Sequence, residues 1–289
     1  MSARVCVLTP IRGEGHRVAE TLPGLWRAAR AAGAELHLLV AVDAPAALRA
    51  GRDFSRLHTG VIPHALDTTG KWPALRFGAA ATQGSVLVLI DADVVPQEDA
   101  IARLVAPILA GAADACGAQI DTPSSLAENT PIAALINRWE QRNCAAWHRL
   151  RSGCPDARWC VPGGLYAVRR DLFPDEILVP MLDDASVGVH LLECGARFAY
   201  EPASRVSHSS SSGYRHWLLR KVRHRRGWVA LGTHRPDLVR EMRVRLLDAL
   251  DDVSDPRDWS DRLLRAHHHG FWRLAWAIER MRPSTTDSW

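Results

Sequence analysis

The chain lacks the long apolar runs and the cysteine pairs that mark several classes of protein. It has no run of about 18 apolar residues, the length that a membrane-spanning helix needs. Its first residues lead into a strand-like segment without the pattern of a signal peptide. The six cysteines form no Cys-x-x-Cys pair, so we expect reduced thiols rather than zinc ligands or disulfides. These absences predict a globular, cytoplasmic protein.

The composition also carries a charge asymmetry. The hydrophobic content of 47% in 289 residues is enough for a substantial core, and the net charge is only +4. Residues 215–226, however, hold six Arg or Lys in twelve positions. Such a basic segment predicts a nearby anionic ligand or surface. In isolation it is also typical of a helix that contacts nucleic acid or the inner face of a membrane.

Apolar periodicity in the first half predicts alternating strands and helices. Strands are predicted at 5–9, 36–42, 61–66, 86–90 and 115–120, and helices at 16–32, 71–82 and 98–109, with a turn between the second and third strands. This alternation is typical of an α/β fold with a mostly parallel, Rossmann-like sheet flanked by helices. Ligands bind such sheets at the carboxyl ends of the strands.

The second half has a different pattern. Helices are predicted at 132–150 and 185–194, a strand and turn at 159–166, a strand at 196–200, and mainly amphipathic helix from about residue 213 onward. The paired glycines Gly163 and Gly164 predict either a close approach of backbone to another group or a positive φ.

Asp91-Ala92-Asp93 ends the apolar run 85–90 and places two carboxylates where a buried strand meets solvent. Residues two apart on a strand point the same way, so Asp91 and Asp93 can reach one hard cation such as Mg²⁺ or Mn²⁺. Taken alone, the triplet is better explained as a simple strand-ending turn.

An ordered set of short motifs resembles family 2 glycosyltransferases with the GT-A fold. The motifs are Thr9-Pro10-Ile11-Arg12-Gly13-Glu14, Asp43, Gly70-Lys71, Asp91-Ala92-Asp93, Pro162-Gly163-Gly164, Asp183-Asp184 and Val206-Ser207-His208. The resemblance covers roughly residues 4–230. It implies a catalytic domain at 1–230, with a nucleotide-sugar half at 1–121 and an acceptor half at 122–230, followed by a helical extension at 231–289.

The resemblance also implies a role for each motif. The nucleotide-sugar donor would contact Pro10, Arg12, Glu14, Asp43, Lys71, Asp91, Ala92, Arg223 and Arg226. Asp93 would hold the metal ion, together with Asp91 and His208. Gly163, Gly164 and Asp183 would bind the acceptor, and Asp184 would be the catalytic base. The residues alone leave simpler roles open, because Asp43 could cap a turn and Asp183 could cap a helix.

The implied activity is metal-dependent, inverting transfer of a single sugar from a nucleoside diphosphate sugar. A UDP-sugar is favoured over a GDP- or dTDP-sugar as the donor, because UDP-sugars are common donors among relatives. Mn²⁺ or Mg²⁺ is the expected cofactor. The acceptor is expected to be a small molecule, a glycan or a lipid-linked hydroxyl compound, and no nucleic acid is expected. Two alternatives stay open: a sugar-phosphate nucleotidyltransferase, and a sugar-nucleotide-binding protein without turnover.

Overall fold

The computed structural model describes residues 4–12, 15–121, 130–153, 161–208, 214–253 and 262. Glu14, which the sequence predicts to contact the donor, lies outside the described residues. The chain divides into two compact units, one formed by residues 1–120 with 154–208 and the other by 121–153 with 209–289. The expected domain boundary at residue 230 stays a prediction.

A mixed eight-stranded sheet forms the centre of the first unit. Its order is β3-β2-β1-β4-β7-β6-β8-β5. The strands are β1 (Val5–Ile11), β2 (Glu35–Val40), β3 (Val61–Ala65), β4 (Val86–Ile90), β5 (Val94–Pro96), β6 (Ala115–Asp121), β7 (Leu165–Arg169) and β8 (Phe198–His208). The pairs β1–β2, β2–β3 and β1–β4 are parallel, whereas β4–β7, β6–β7 and β5–β8 are antiparallel. The parallel strands match the predicted positions closely, and β5 is an addition that the sequence did not predict.

Helices flank this sheet. They are α1 (Gly15–Ala31), α2 (Pro45–Leu57), α3 (Lys71–Ala81), α4 (Ala100–Leu109) and α6 (Asp183–Glu193). The predicted turn between β2 and β3 is wrong, because α2 occupies 13 residues there. Pro45 stands at the first helical position, where its fixed φ favours helix and its missing N–H costs nothing. Ala47 and Gly51, one helical turn apart, are the buried positions of α2.

The sheet is buried on both faces, which explains why β4 is apolar throughout. All five residues of β4 are buried. Val86, Val88 and Ile90 join one hydrophobic cluster, and Leu87 and Leu89 join a second cluster. This alternation follows from the two-residue period of a strand. A sheet covered by helices on both faces leaves only its edges and strand ends for polar chemistry.

The second unit is helical. It contains α5 (Pro131–Gly153), α7 (Tyr214–His234) and α8 (Pro236–Val253). The side chains of Ala133, Ile136, Trp217 and Val222 form its apolar cluster. The predicted helical C-terminal region is therefore present. Within the described ranges, no helix is long and apolar enough to cross a membrane.

Candidate active site

The two carboxylates that follow β4 are placed by a turn anchored in the core. Val94 N–H donates to the carbonyl of Asp91 at 3.2 Å, and the Thr21 hydroxyl donates to the carbonyl of Ala92 at 2.9 Å. The Ala92 side chain is 3% exposed and packs in the core, and its contact with the nucleotide sugar stays a prediction. Asp91 and Asp93, on either side of it, are only partly buried. The Asp-x-Asp spacing thus keeps two carboxylates accessible around one buried anchor.

Lys71 joins two carboxylates that are distant in sequence. Its Nζ lies 2.7 Å from Asp91 Oδ1 and 3.0 Å from Asp183 Oδ2. Lys71 begins α3 and Asp183 begins α6, so the two helix N-termini converge on the end of β4. Burial alone would lower the pKa of Lys71, but Asp183 and Asp91 outweigh it and hold this pKa well above its usual value. Burial raises the pKa of Asp91 against the opposing effect of Lys71.

Asp184 is a second, separately held carboxylate at this edge. Its Oδ1 accepts the backbone N–H of Ala185 at 2.8 Å, whereas Asp183 caps nothing, because the N-cap residue of α6 is Leu182. A Cβ atom on Gly163 would lie 2.6 Å from Asp184 Oδ2, so only glycine leaves room for this carboxylate. Burial, followed by the charge of Asp183, raises the pKa of Asp184 to about 6.

Asp93 and His208 come together through the short antiparallel pair β5–β8. In that pair Val94 stands opposite His208, which places the residue before Val94 beside the histidine. Asp93 Oδ1 lies 4.0 Å from His208 Nδ1, and this buried nitrogen has no hydrogen-bond partner among the described residues. An unpartnered buried imidazole nitrogen facing a carboxylate fits two ligands of one divalent cation.

Gly164 lies between these groups. Its carbonyl accepts the N–H of Asp91 at 3.2 Å, and a Cβ atom on it would stand 3.1 Å from His208 Nε2. Neither Gly163 nor Gly164 has a positive φ. Of the two predictions for the glycine pair, the close approach is therefore the one observed.

Arg12 and Asp43 meet beyond the ends of β1 and β2. Arg12 Nε donates to Asp43 Oδ2 at 2.9 Å, and both side chains are partly exposed. Pro10 lies inside β1, paired with Leu39 of β2. Arg12 and Asp43 therefore lie at the carboxyl ends of neighbouring parallel strands, where ligands bind such sheets.

Comparison with known proteins decides the family. The sequence model described as "Glycosyl transferase family 2" matches residues 6–159, more than half of the chain. The chain belongs to glycosyl transferase family 2. No curated protein matches its sequence.

Solved structures share the fold of this glycosyltransferase at low sequence identity. The mannosyltransferase PcManGT from Pyrobaculum calidifontis, in complex with GDP-Man and Mn²⁺, is 17% identical with a TM-score of 0.65, covering 99% of this chain and 89% of its own. GalNAc-T7 with UDP, GalNAc and Mn²⁺ is 19% identical with a TM-score of 0.52, covering 76% and 47%. Mannosyl-3-phosphoglycerate synthase from Rubrobacter xylanophilus is 15% identical with a TM-score of 0.51, covering 78% and 72%. The GT-A fold is thereby confirmed.

Arg223 and Arg226, which the sequence analysis assigned to the diphosphate, lie on α7 of this glycosyltransferase. The Nε atom of each is buried and has no hydrogen-bond partner among the described residues. Both belong to the second unit, and their role toward the donor stays a prediction.

Tyr166 is a residue of the glycosyltransferase site that sequence reasoning missed. It is 2% exposed, and its hydroxyl has no hydrogen-bond partner among the described residues. Burial and the charge of Asp183 hold its pKa well above the usual value, so the hydroxyl stays protonated. The available signal was its place on the strand that follows Gly163 and Gly164, within a chain of only three tyrosines.

Proposed function

We propose that this glycosyltransferase moves a single sugar from a nucleoside diphosphate sugar to an acceptor hydroxyl with inversion at the anomeric carbon. The observation that carries the proposal is that the carboxylates of the site occupy two different positions with different neighbours. Asp91 and Asp93 lie between β4 and β5, and the pairing of β5 with β8 brings His208 to Asp93, whereas Asp184 lies at the start of α6 with a pKa of about 6. Asp91, Asp93 and His208 are suited to bind a divalent cation, and Asp184 is suited to accept a proton.

The donor side of the site would use Asp93, Asp91 and His208 as ligands of Mn²⁺ or Mg²⁺. When bound, such a cation neutralises the charge that grows on the departing diphosphate. PcManGT and GalNAc-T7 were both solved with Mn²⁺ and a nucleotide or sugar nucleotide, which supports this assignment. Arg12 and Asp43 would hold the nucleoside, since Asp43 can accept hydrogen bonds from a base imide or from ribose hydroxyls. A UDP-sugar is our first choice of donor.

Lys71 would hold Asp91 and Asp183 in fixed positions relative to each other. Its ammonium remains protonated because Asp183 and Asp91 hold its pKa high. A permanent cation between Asp91 and Asp183 lowers their mutual repulsion and fixes their positions before the donor arrives.

Asp184 would remove the proton of the acceptor hydroxyl. Because Ala185 N–H occupies Oδ1, Oδ2 beside Gly163 is the oxygen that takes the proton. A pKa of about 6 leaves most of this carboxyl ionised at neutral pH and still makes it a better base than an ordinary aspartate. One base and one direct displacement, with no covalent intermediate, give inversion. The nucleotidyltransferase alternative leaves Asp184 and His208 without a role.

Two measurements test this function. A thermal shift with UDP or GDP, with and without Mn²⁺, should show metal-dependent stabilisation of the wild-type protein. Mass spectrometry with a panel of sugar nucleotides should show donor consumption, including slow hydrolysis without an acceptor. The Asp93→Ala variant should lose the metal-dependent shift. Asp99→Ala, which removes an exposed carboxylate that pairs with Arg103, should keep it. No shift with any nucleoside diphosphate, or an unchanged shift in Asp93→Ala, would refute the proposal.

A further inference from the structure

A second cluster of metal-ligating side chains lies at the opposite end of the parallel strands. Cys6 of β1 pairs with Glu35 of β2, and His37 is two residues further along β2, so all three project from the same face of the sheet. Cys6 also pairs with Leu87, four residues before Asp91, which puts this cluster about 13 Å along the strands from the candidate active site. The two sites are therefore separate.

The three ligand atoms are close enough for a shared ion. One atom each from Cys6, Glu35 and His37 lies within 4.8 Å of the others. Ligands of a tetrahedral zinc ion stand roughly 3.4 Å apart, given metal–ligand bonds of about 2.1 Å. Cys6 is fully buried and His37 is 4% exposed, so neighbouring backbone and core fix both. The Glu35 side chain is 35% exposed and has three rotatable bonds, so its carboxylate can adjust its position around an ion.

His64 of β3 orients the ring of His37. His37 Nδ1 lies 3.1 Å from His64 Nε2, and the two rings stack. Burial lowers the pKa of both histidines, which favours the neutral imidazole that metals bind. When Nδ1–H donates to His64, the lone pair of His37 Nε2 points to the other side of the ring. That buried nitrogen has no hydrogen-bond partner among the described residues, and its distance of 3.6 Å to Glu35 Oε2 is too long for one.

Arg4 holds the carboxylate of Glu35 in a complementary way. Arg4 Nη2 donates to Glu35 Oε1 at 3.0 Å, which leaves Oε2 as the oxygen on the His37 side. Metal ligands in proteins are oriented by such outer hydrogen bonds, made by the second ring nitrogen of a histidine or by an oxygen of a carboxylate. His37 Nε2 and Glu35 Oε2, 3.6 Å apart, thus face each other beside the buried thiol of Cys6.

We propose that Cys6, Glu35 and His37 form a zinc-binding site, with the fourth position left to water. A thiolate, an imidazole and a carboxylate are a ligand set typical of Zn²⁺, whereas the oxygen-rich group around Asp91 and Asp93 suits Mn²⁺ or Mg²⁺. Binding replaces the S–H bond of Cys6 by an S–Zn bond and releases one proton to solvent. Cys6 then departs from the reduced, metal-free thiol that the sequence analysis expected. The site would cross-link β1 and β2 about 13 Å along the strands from the candidate active site, and so would stabilise the fold without entering the reaction.

Co²⁺ provides a direct test, because cobalt bound to a thiolate gives sulfur-to-metal charge-transfer absorption and cobalt bound only to oxygen does not. The full-length protein, reduced and stripped of metal, is titrated with Co²⁺. We expect this absorption to saturate at one equivalent and to disappear when Zn²⁺ is added. Absence of the absorption from the wild-type protein would overturn the proposal.

Three variants assign the signal to these residues. Cys6→Ser should abolish the charge-transfer absorption, and Glu35→Gln should weaken Co²⁺ binding at least about tenfold, since even outer contacts of a metal site are worth that much. Cys194→Ser is the matched control, because the exposed Cys194 Sγ lies 3.4 Å from His190 Nε2 and offers a competing thiolate and imidazole. Loss of the signal in Cys194→Ser, or an unchanged signal in Glu35→Gln, would contradict the proposal. Glu35→Gln decides the matter if Cys6→Ser fails to fold, because the Glu35 side chain is partly exposed.

Discussion

The position and the pKa of the Asp184 carboxyl depend on its neighbours Gly163 and Asp183. Gly163 leaves space for Oδ2, and burial beside Asp183 raises the pKa of the group to about 6. We predict that Asp184→Asn binds the donor with near wild-type affinity and loses about 10²- to 10⁴-fold in the rate of transfer, because proton removal matters only in the transition state. Isothermal titration with the nucleotide and single-turnover kinetics measure the two quantities separately. Near wild-type turnover would remove Asp184 from the role of base.

The same pKa predicts the pH dependence of the wild-type enzyme. The base acts in its ionised form, so the rate of transfer with saturating donor should rise as pH increases through about 6 and then level off. Below that pH the proton on Asp184 blocks the step. Rates measured between pH 5 and 8 test this, with nucleotide affinity followed in parallel to separate binding from chemistry. A rate that falls with increasing pH over this range would contradict the assignment.

Individual site residues differ in how far the sequence could locate them. Asp91, Asp93 and Asp184 stand at the ends of elements in the motif order of the family, so the family resemblance predicted that they lie at one site. The contact of Lys71 with both Asp91 and Asp183 joins three elements distant in sequence, and nothing in local spacing encodes it. Tyr166 was missed for a related reason: on an apolar strand, a tyrosine at a site has the same pattern as a tyrosine in a core.

At the scale of elements, α3 must lie close to the sheet for Lys71 to reach Asp91. Gly78 of α3 permits this approach, since a Cβ atom there would be 2.7 Å from Leu39 Cδ1 and 3.1 Å from Leu8 Cδ2. Both leucines are fully buried and have little room to move. The absence of a side chain at Gly78 thus allows α3 to pack closely against β1 and β2.

We predict that Gly78→Ala destabilises the protein and lowers transfer. Overpacking costs about 1–3 kcal/mol, which exceeds the gain of about 1 kcal/mol from replacing a helical glycine. Gly24→Ala in α1 is the matched control, because its Cβ would lie at an ordinary 3.6 Å from Val95 Cγ1. That control should be neutral or stabilising. Thermal unfolding and transfer rates of the two variants test the prediction, and equal stability of both would contradict it.

Periodicity located most elements but not their pairing. The all-apolar β4 is readable as a strand buried on both faces, yet its sequence does not say that β1 pairs with it in parallel and β7 antiparallel. The three-residue β5 is too short to produce a period. Its pairing with β8 is nevertheless what brings Asp93 to His208. The helix α2 was missed because its start, Asp43-Ala44-Pro45, has the residues of a turn.

At the scale of the whole molecule, the division into units follows spatial contact rather than chain order. α5 packs with α7 and α8 in one unit, although the sheet strands β7 and β8 lie between them in the sequence. A linear reading therefore predicted the helical C-terminal region and could not predict that α5 belongs with it. The expected assignment of 122–230 to acceptor binding stays a prediction.

The helical unit contains a buried ion pair between Glu140 and Lys221. Glu140 is 5% exposed, its Oε1 accepts the Trp217 indole N–H at 2.8 Å, and Lys221 Nζ lies 2.5 Å from the same oxygen. Burial would raise the pKa of Glu140, but Lys221 outweighs it and the pKa is lowered. The ion pair therefore adds stability above the usual pKa of a glutamate, and this contribution is lost as the pH falls through the lowered value.

Removal of Lys221 should leave that buried carboxylate without its cation. We predict that Lys221→Met lowers the free energy of unfolding of the helical unit by about 3 kcal/mol, the cost of breaking a buried pair from one side. Hydrogen exchange of amides in α5 and α7 measures this loss in the unit itself. Arg243→Met, an exposed cation on α8, is the matched control and should change exchange little. The double variant Glu140→Gln with Lys221→Met should recover most of the loss, because the neutral amide no longer needs a cation. If Lys221→Met and the double variant exchange alike, the charge of Glu140 is not what Lys221 stabilises.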